Sequence, residues 1–264
     1  ALQSGEVQPV GRPRPVVLRT FDIGGDKFVS TFQLPPEMNP MLGLRAIRLA
    51  LSRPDVFLEQ LRAMVRASAY GDVRIMIPMV ASLSELRETK TLLEEARAQV
   101  KARGEPMAEH IPLGVMIEVP AAALRSAHVL AEVEFGSIGT NDLAQYTMAA
   151  DRMQGELSDL LDPWQPAVLD VVAAACEGAA STGRPMGVCG ESAGDPLLAL
   201  VLTGLGVSSL SMAPSKVPVV RLALSLHSLP ECQGIAAAAR AAATAREALE
   251  AVRELARDEL TDLL

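Results

Sequence analysis

A chain of 264 residues with a formal net charge of -8, 49% hydrophobic but only 3% aromatic, can fill one large core or two modest ones with Ala, Val, Leu, Ile and Met. The negative charge argues against recruitment by nucleic-acid phosphates, and no run approaches the ~18 apolar residues that span a bilayer. Three scattered cysteines, Cys176, Cys189 and Cys232, exclude a disulfide framework or a zinc site, leaving a cytoplasmic α/β protein of aliphatic strands covered by Ala-rich helices as the expectation.

Residues 1–15 are polar and rich in Pro and Gly and read as a linker or ragged end. Val16–Thr20 is a β-branched run that predicts a buried strand ending at Arg19. The Gly pair of Asp22–Lys27, DIGGDK, reads as a loop, and Pro35, Pro36 and Pro40 prolong it. Helical spacing follows over Leu44–Leu51, with Arg45 and Arg48 interleaved, and resumes over Asp55–Ala69 with Pro54 at its first turn. Val73–Val80 predicts the second strand. Ser82 and Glu85 form a Ser-x-x-Glu capping box for a helix reaching about Arg103.

Leu113–Val119 predicts a third strand that delivers Glu118 just before Pro120, and a helix is expected over Ala121–Ala131. Phe135–Ile138 reads as a short strand; Thr140 and Asn141 stand where a helix begins, Asp142 lies in its first turn, and Arg152 follows one or two turns later. A helix over Pro166–Thr182, a strand over Met186–Glu191, a helix after Pro196, a strand over Val207–Met212 and a helix from Pro214 complete the pattern. From Gln233 onward the Ala-, Arg- and Glu-rich sequence predicts one or two helices. The expected organisation is a barrel domain over 16–230 with a helical tail, 231–264, packed on it.

Strand and helix alternate without hairpin signals, which requires parallel strands and crossover helices. Six strands are counted where a (β/α)8 TIM-type barrel needs eight, so the chain is expected to be such a barrel lacking its first two βα units. The strand ends carry Arg19, Pro78, Glu118, Asn141 with Asp142, Cys189 and Ser211. Barrels of this type work from those ends. Glu118 and Asp142 suit Mg2+ when a phosphorylated substrate completes the shell, and Arg19, Arg45 and Arg152 could clamp the phosphate bidentately. Each group also has a plain structural reading: an ion pair for Arg19, a helix-start carboxylate for Asp142, an inert thiol for Cys189. His110, His128 and His227 read as structural. It is the conjunction that points to a site.

Five segments, RTFDIGGDK (Arg19–Lys27), NPMLGLRAIRLAL (Asn39–Leu51), GVMIEVPAAA (Gly114–Ala123), SIGTNDLAQYTMAADR (Ser137–Arg152) and GVCGESAGD (Gly187–Asp195), together resemble the C-terminal domain of the Enzyme I family, the phosphoenolpyruvate-protein phosphotransferases of the bacterial phosphotransferase system. Leu44 stands where the family usually has Trp. The resemblance implies a phosphoenolpyruvate-binding barrel, Mg2+-dependent and homodimeric. It implies Glu118 and Asp142 as Mg2+ ligands, Arg19, Arg45, Asn141 and Arg152 as phosphoenolpyruvate contacts, and Cys189 as the acid that protonates the enolate to give pyruvate. In the full-length enzyme the phosphoryl group would pass to a histidine of an N-terminal domain and then to a phosphocarrier protein. A dikinase or phosphoenolpyruvate-synthase barrel, an Mg2+-dependent C–C lyase and a non-catalytic binding or dimerisation fragment are the alternatives.

Overall fold

The structure is a computed structural model that describes residues 14–23 and 37–264. The Gly24–Lys27 part of the Gly-pair loop, with Pro35, Pro36 and most of the N-terminal segment, lies outside the described residues.

In chain order the regular elements are β1 (Val16–Arg19), α1 (Ala46–Ser52), α2 (Pro54–Ala67), β2 (Val73–Ile77), α3 (Leu83–Ala102), β3 (Leu113–Ile117), α4 (Pro120–Leu124), α5 (Ser126–Leu130), β4 (Phe135–Ile138) and α6 (Thr140–Met148). Then come α7 (Pro166–Thr182), β5 (Met186–Val188), α8 (Pro196–Gly204), β6 (Ser209–Leu210), α9 (Val217–Leu226), α10 (Leu229–Ala241), α11 (Ala245–Leu255) and α12 (Asp258–Thr261). The described strands form one six-stranded sheet in the order β1-β2-β3-β4-β5-β6, every pair parallel. Each crossover thus returns to the adjacent strand. With right-handed crossovers this sequential order puts the helices on one face of the sheet and lets the other face curl inward, as in half of a barrel.

Side-chain alternation matches that geometry. Ile75, Ile77, Val115 and Ile117 join the main core with α2, α3 and α7, while Met76, Met116 and Phe135 make a separate small cluster. Gly114 is needed there, because a Cβ would sit 2.4 Å from the Phe135 ring. A further cluster links Leu197, Leu198, Leu200 and Val201 of α8 to Cys232, Ile235, Ala236 and Ala239 of α10, Val252 of α11 and Leu260 of α12. The closest approach is at Gly204, where a Cβ would stand 2.0 Å from the Cys232 carbonyl oxygen. Buried His227 joins α9 to the segment before α12. Its Nε2 accepts from the Arg257 N–H at 3.1 Å, so Nδ1 carries the proton and donates to the Ala223 carbonyl at 2.8 Å.

Several elements differ from the sequence expectation. The second strand stops at Ile77, because Pro78 follows and Met79 takes a left-handed φ of 61°. Strands three and five are likewise shorter at their C-terminal ends, and strand six is shorter at both. The helix expected over Ala121–Ala131 is two short helices broken at Arg125, whose φ is -112°. The break re-aims α5 against α7, where the Ser126 hydroxyl donates to the Ala174 carbonyl and Gly178 leaves room for Ser126. The C-terminal region has three helices rather than one or two. Ser228 with Glu231 and Thr244 with Glu247 are N-terminal caps that start new helices. The Ser82–Glu85 capping box forms as expected.

Two substitutions test this packing in opposite directions. Ala149 closes α6 in a left-handed conformation, φ 52°, and is exposed; Ala149→Gly should raise the unfolding free energy by about 0.5–1 kcal/mol in urea titrations. Gly204→Ala should lower it by roughly 1–3 kcal/mol, because α8 and α10 would have to separate.

Candidate functional site

Glu118 leaves β3 as a buried carboxylate. Its Oε2 accepts the Met79 N–H at 2.8 Å, a bond made possible by the left-handed turn that ends β2. Gly139, at the end of β4, leaves space for it, since a Cβ there would lie 2.7 Å from the Glu118 side chain. Burial first, and the charge of Asp142 second, push the Glu118 carboxyl up to about 7. The Asp22 charge adds to this, while the Met79 hydrogen bond and the Arg19 charge oppose it.

α6 carries the largest share of the remaining groups. Asn141 Oδ1 accepts the Glu191 N–H at 3.2 Å, linking α6 to the loop after β5. Asp142, buried in the first turn, receives Arg45 Nη1 on Oδ1 at 3.0 Å and faces Arg152 Nη1 from Oδ2 at 3.5 Å. One turn on, Gln145 Oε1 accepts the Arg152 N–H at 2.9 Å, and the Tyr146 hydroxyl meets Arg45 Nη1 at 3.1 Å. Helical spacing puts Asp142, Gln145 and Tyr146 on one face, so a single helix sets both arginines.

Arg45, immediately before α1, has no exposed surface. Its Nε donates to Asp22 Oδ1 at 3.3 Å, and Nη2 donates to Asp22 Oδ1 and Oδ2 at 3.1 and 2.9 Å. With Nη1 on Asp142 and Tyr146, all three guanidinium nitrogens have acceptors. Burial works against this charge, but the Asp22 hydrogen bond and the charges of Asp142 and Asp22 outweigh it and raise its pKa. Arg19, at the end of β1, is partly exposed, with Nη1 3.5 Å from Asp22 Oδ2.

Cys189, just beyond β5, packs against the Met76, Met116 and Phe135 cluster and lies with Sγ 3.6 Å from the Ile138 carbonyl. Burial raises its thiol pKa, and the Glu118 charge adds to this against the opposing effects of Ser137 and Arg19; the group is a held proton at neutral pH. Cys189, Glu191, Ser211 and Lys216 line an open cavity of about 650 Å³. A neighbouring cavity of about 360 Å³ is lined by Thr140, Asn141, Arg152 and Glu191.

The strand-end residues singled out in the sequence therefore fall together. Arg19, Arg45, Glu118, Asp142, Arg152 and Cys189 are joined by contact or by mutual charge, and Asn141 sits beside them, engaged with Glu191. Sequence reading passed over Asp22, Gln145 and Tyr146, and had no means of finding the Met79 N–H. The three- and four-residue spacing from Asp142 was the available signal for Gln145 and Tyr146. Among the described residues no group of three or more His, Cys, Asp or Glu side chains could hold a metal; Glu118 and Asp142 are a pair. No helix of the described residues is long and apolar enough to cross a membrane.

Comparison with known proteins adds a family. Among curated relatives, the phosphoenolpyruvate-protein phosphotransferase of Streptomyces coelicolor is 47% identical over 250 residues, covering 94% of this chain and 42% of that protein. The proteins of the same name from Latilactobacillus sakei and Bacillus subtilis are 47% and 42% identical, covering 79% and 91% of this chain. The chain spans only 36% and 42% of their lengths. A citrate lyase structure from Burkholderia xenovorans is a loose likeness, with 14% identity and a TM-score of 0.47 over 78% of this chain and 69% of that one. The family described as "PEP-utilising enzyme, PEP-binding domain" matches residues 6–228, and the chain belongs to that family.

Proposed function

We propose that this chain is the phosphoenolpyruvate-binding part of a phosphoenolpyruvate-protein phosphotransferase, in which the phosphoryl group passes to a histidine of an N-terminal domain, then to a phosphocarrier protein, and pyruvate is released. The observation that carries the reading is the cluster at the ends of β1, β3 and β4, where two buried carboxylates, Glu118 and Asp142, stand beside the guanidinium groups of Arg19, Arg45 and Arg152. The names and identities of the relatives support it. A complete (β/α)8 barrel formed with two further βα units, a domain limit near residue 230, a homodimer and a cytoplasmic location belong to the same reading.

The donor set fits Mg2+. Both groups are hard oxygen ligands, and the charge of Asp142 raises the pKa of Glu118, a repulsion that a cation would relieve. Glu118 and Asp142 would hold the ion, which when bound neutralises charge on the phosphoryl oxygens. Arg19, Arg152 and Asn141 line the approach and orient the substrate anion; Arg45 contributes its charge from within. When the bridging P–O bond breaks and the phosphoryl group moves to the acceptor nitrogen, the electron pair stays on the enolate. Cys189, kept protonated by burial, gives its proton to the enolate methylene carbon and completes pyruvate.

Calorimetric titration of the chain with phosphoenolpyruvate should give heat in the presence of Mg2+ and much less in its absence; no heat at millimolar ligand sinks the reading. The proton step has its own assay, exchange of the pyruvate methyl hydrogens in D2O with Mg2+, which runs the same transfer in reverse. Cys189→Ala should slow that exchange by roughly 10²–10⁴-fold with pyruvate affinity retained, and parental exchange in the variant would remove Cys189 from the role.

Glu118 also gives a pH dependence. Its folded pKa, about 7, lies above the ordinary value of 4.5, so the folded state holds the proton more tightly than the unfolded chain does. The contribution to stability is fully present below pH 4.5 and is lost as pH rises to about 7. A bound divalent cation must displace the same proton, so Mn2+ affinity should fall about tenfold per pH unit below that pKa. Mn2+ titrations between pH 5.5 and 8 that show a flat affinity would contradict this.

A further inference from the structure

We propose that Asp22 and Tyr146 are positioning residues that hold the Arg45 guanidinium from opposite sides, so that its action on a bound anion runs through one Nη1 hydrogen and Asp142. This rests on the reading of the cluster as a phosphoenolpyruvate site. Asp22 accepts from Nε and Nη2 in a bidentate fork, which fixes the plane of the guanidinium and leaves rotation about its Cζ–Nη1 bond as the remaining freedom. Tyr146 and Asp142 together restrict that freedom. The Tyr146 hydroxyl accepts from Nη1 and donates to the Met41 carbonyl, so it is anchored to the loop that crosses the outer side of Arg45. Its hydroxyl also has reason to stay a phenol, because burial raises its pKa despite the opposing charge of Arg45. The other Nη1 hydrogen lies toward Asp142, with Met41 Sδ 3.9 Å from the same nitrogen.

The two residues reach Arg45 from different parts of the chain. Asp22 follows β1 and stands 23 positions before Arg45, while Tyr146 lies 101 positions after it on α6. Tyr146 shares its helix face with Asp142, so the carboxylate and the hydroxyl that divide Nη1 move as one body. Displacing either residue changes where Arg45 presents its charge without removing the charge itself. A purely structural role predicts lost stability alone; a positioning role predicts lost anion affinity that depends on the presence of the guanidinium.

Tyr146→Phe keeps the ring and removes the hydroxyl. With Mg2+ present it should weaken phosphoenolpyruvate binding roughly tenfold, and Asp22→Asn should weaken it more. In an Arg45→Lys background, which keeps the charge but not the fork, Tyr146→Phe should cost nothing further; additive losses would overturn the proposal. Should Asp22→Asn or Arg45→Lys fail to fold, as judged by thermal unfolding, the Arg45 side-chain NMR signals decide the matter in the parent and in Tyr146→Phe. Slow Nη1 rotation in the parent that becomes fast in Tyr146→Phe supports positioning, and equal rotation in both refutes it. Absence of phosphoenolpyruvate binding by the parent would overturn the functional reading, while the NMR comparison would still decide the placement of Arg45.

Discussion

A guanidinium with no solvent contact is costly unless its nitrogens find acceptors and opposite charge stands next to it, and Arg45 meets both conditions through Asp22, Asp142 and Tyr146. That requirement ties together segments far apart in the chain. The loop after β1 must bring Asp22 inward, the segment before α1 must place Arg45 under it, and α6 must begin where Asp142 and Tyr146 can reach the far side. Removing Asp22 or Asp142 would leave the buried charge with half of its carboxylate partners, whereas exposed ion pairs such as Arg53–Asp55 contribute little. Strand order and helix packing thus set the frame, and the buried charge sets the register of the site within it.

Backbone strain falls at the same places. Among the described residues the non-glycine positions with positive φ are Ala46, Met79 and Ala149. Ala46 directly follows Arg45, Met79 gives its N–H to Glu118, and Ala149 turns the chain from α6 toward Arg152. Each such conformation costs on the order of 1 kcal/mol and persists where surrounding contacts over-determine it. Ala149 is an ordinary left-handed helix end, while Ala46 and Met79 mark two turns that aim site groups.

The alternation of aliphatic strands and helices was legible because it depends on periodicity, and the parallel six-stranded sheet follows it closely. Charged groups at strand ends were legible for a related reason: a polar residue closing an apolar run stands out. Ends were less legible. The break at Arg125 comes from packing against α7, which is not local, whereas the stop at Ile77 has Pro78 beside it as a local signal. Asp22 looked like any loop carboxylate, and Tyr146 like a residue of an amphipathic helix, since their partners lie 23 and 101 residues away. Arg45 was visible as a cation, but its burial and its partners are tertiary facts.

Charge balance at the cluster gives the proposed role a physical logic. Among the described residues, the guanidinium groups of Arg19, Arg45 and Arg152 meet the carboxylates of Asp22, Asp142 and Glu118. With Glu118 ionised the two sets cancel, so a multiply charged anion arriving alone would enter no net positive field and would face Asp142 and Glu118 directly. Arriving with a divalent cation, the same anion brings the charge that those carboxylates need and leaves its own excess for Arg19 and Arg152. A proton on Glu118 offers a cheaper but weaker neutralisation, which fits its raised pKa. The arrangement therefore favours an anion and a cation bound together over either one alone, and a cation drawn to Asp142 would loosen its pairing with Arg152 and free that guanidinium for the anion.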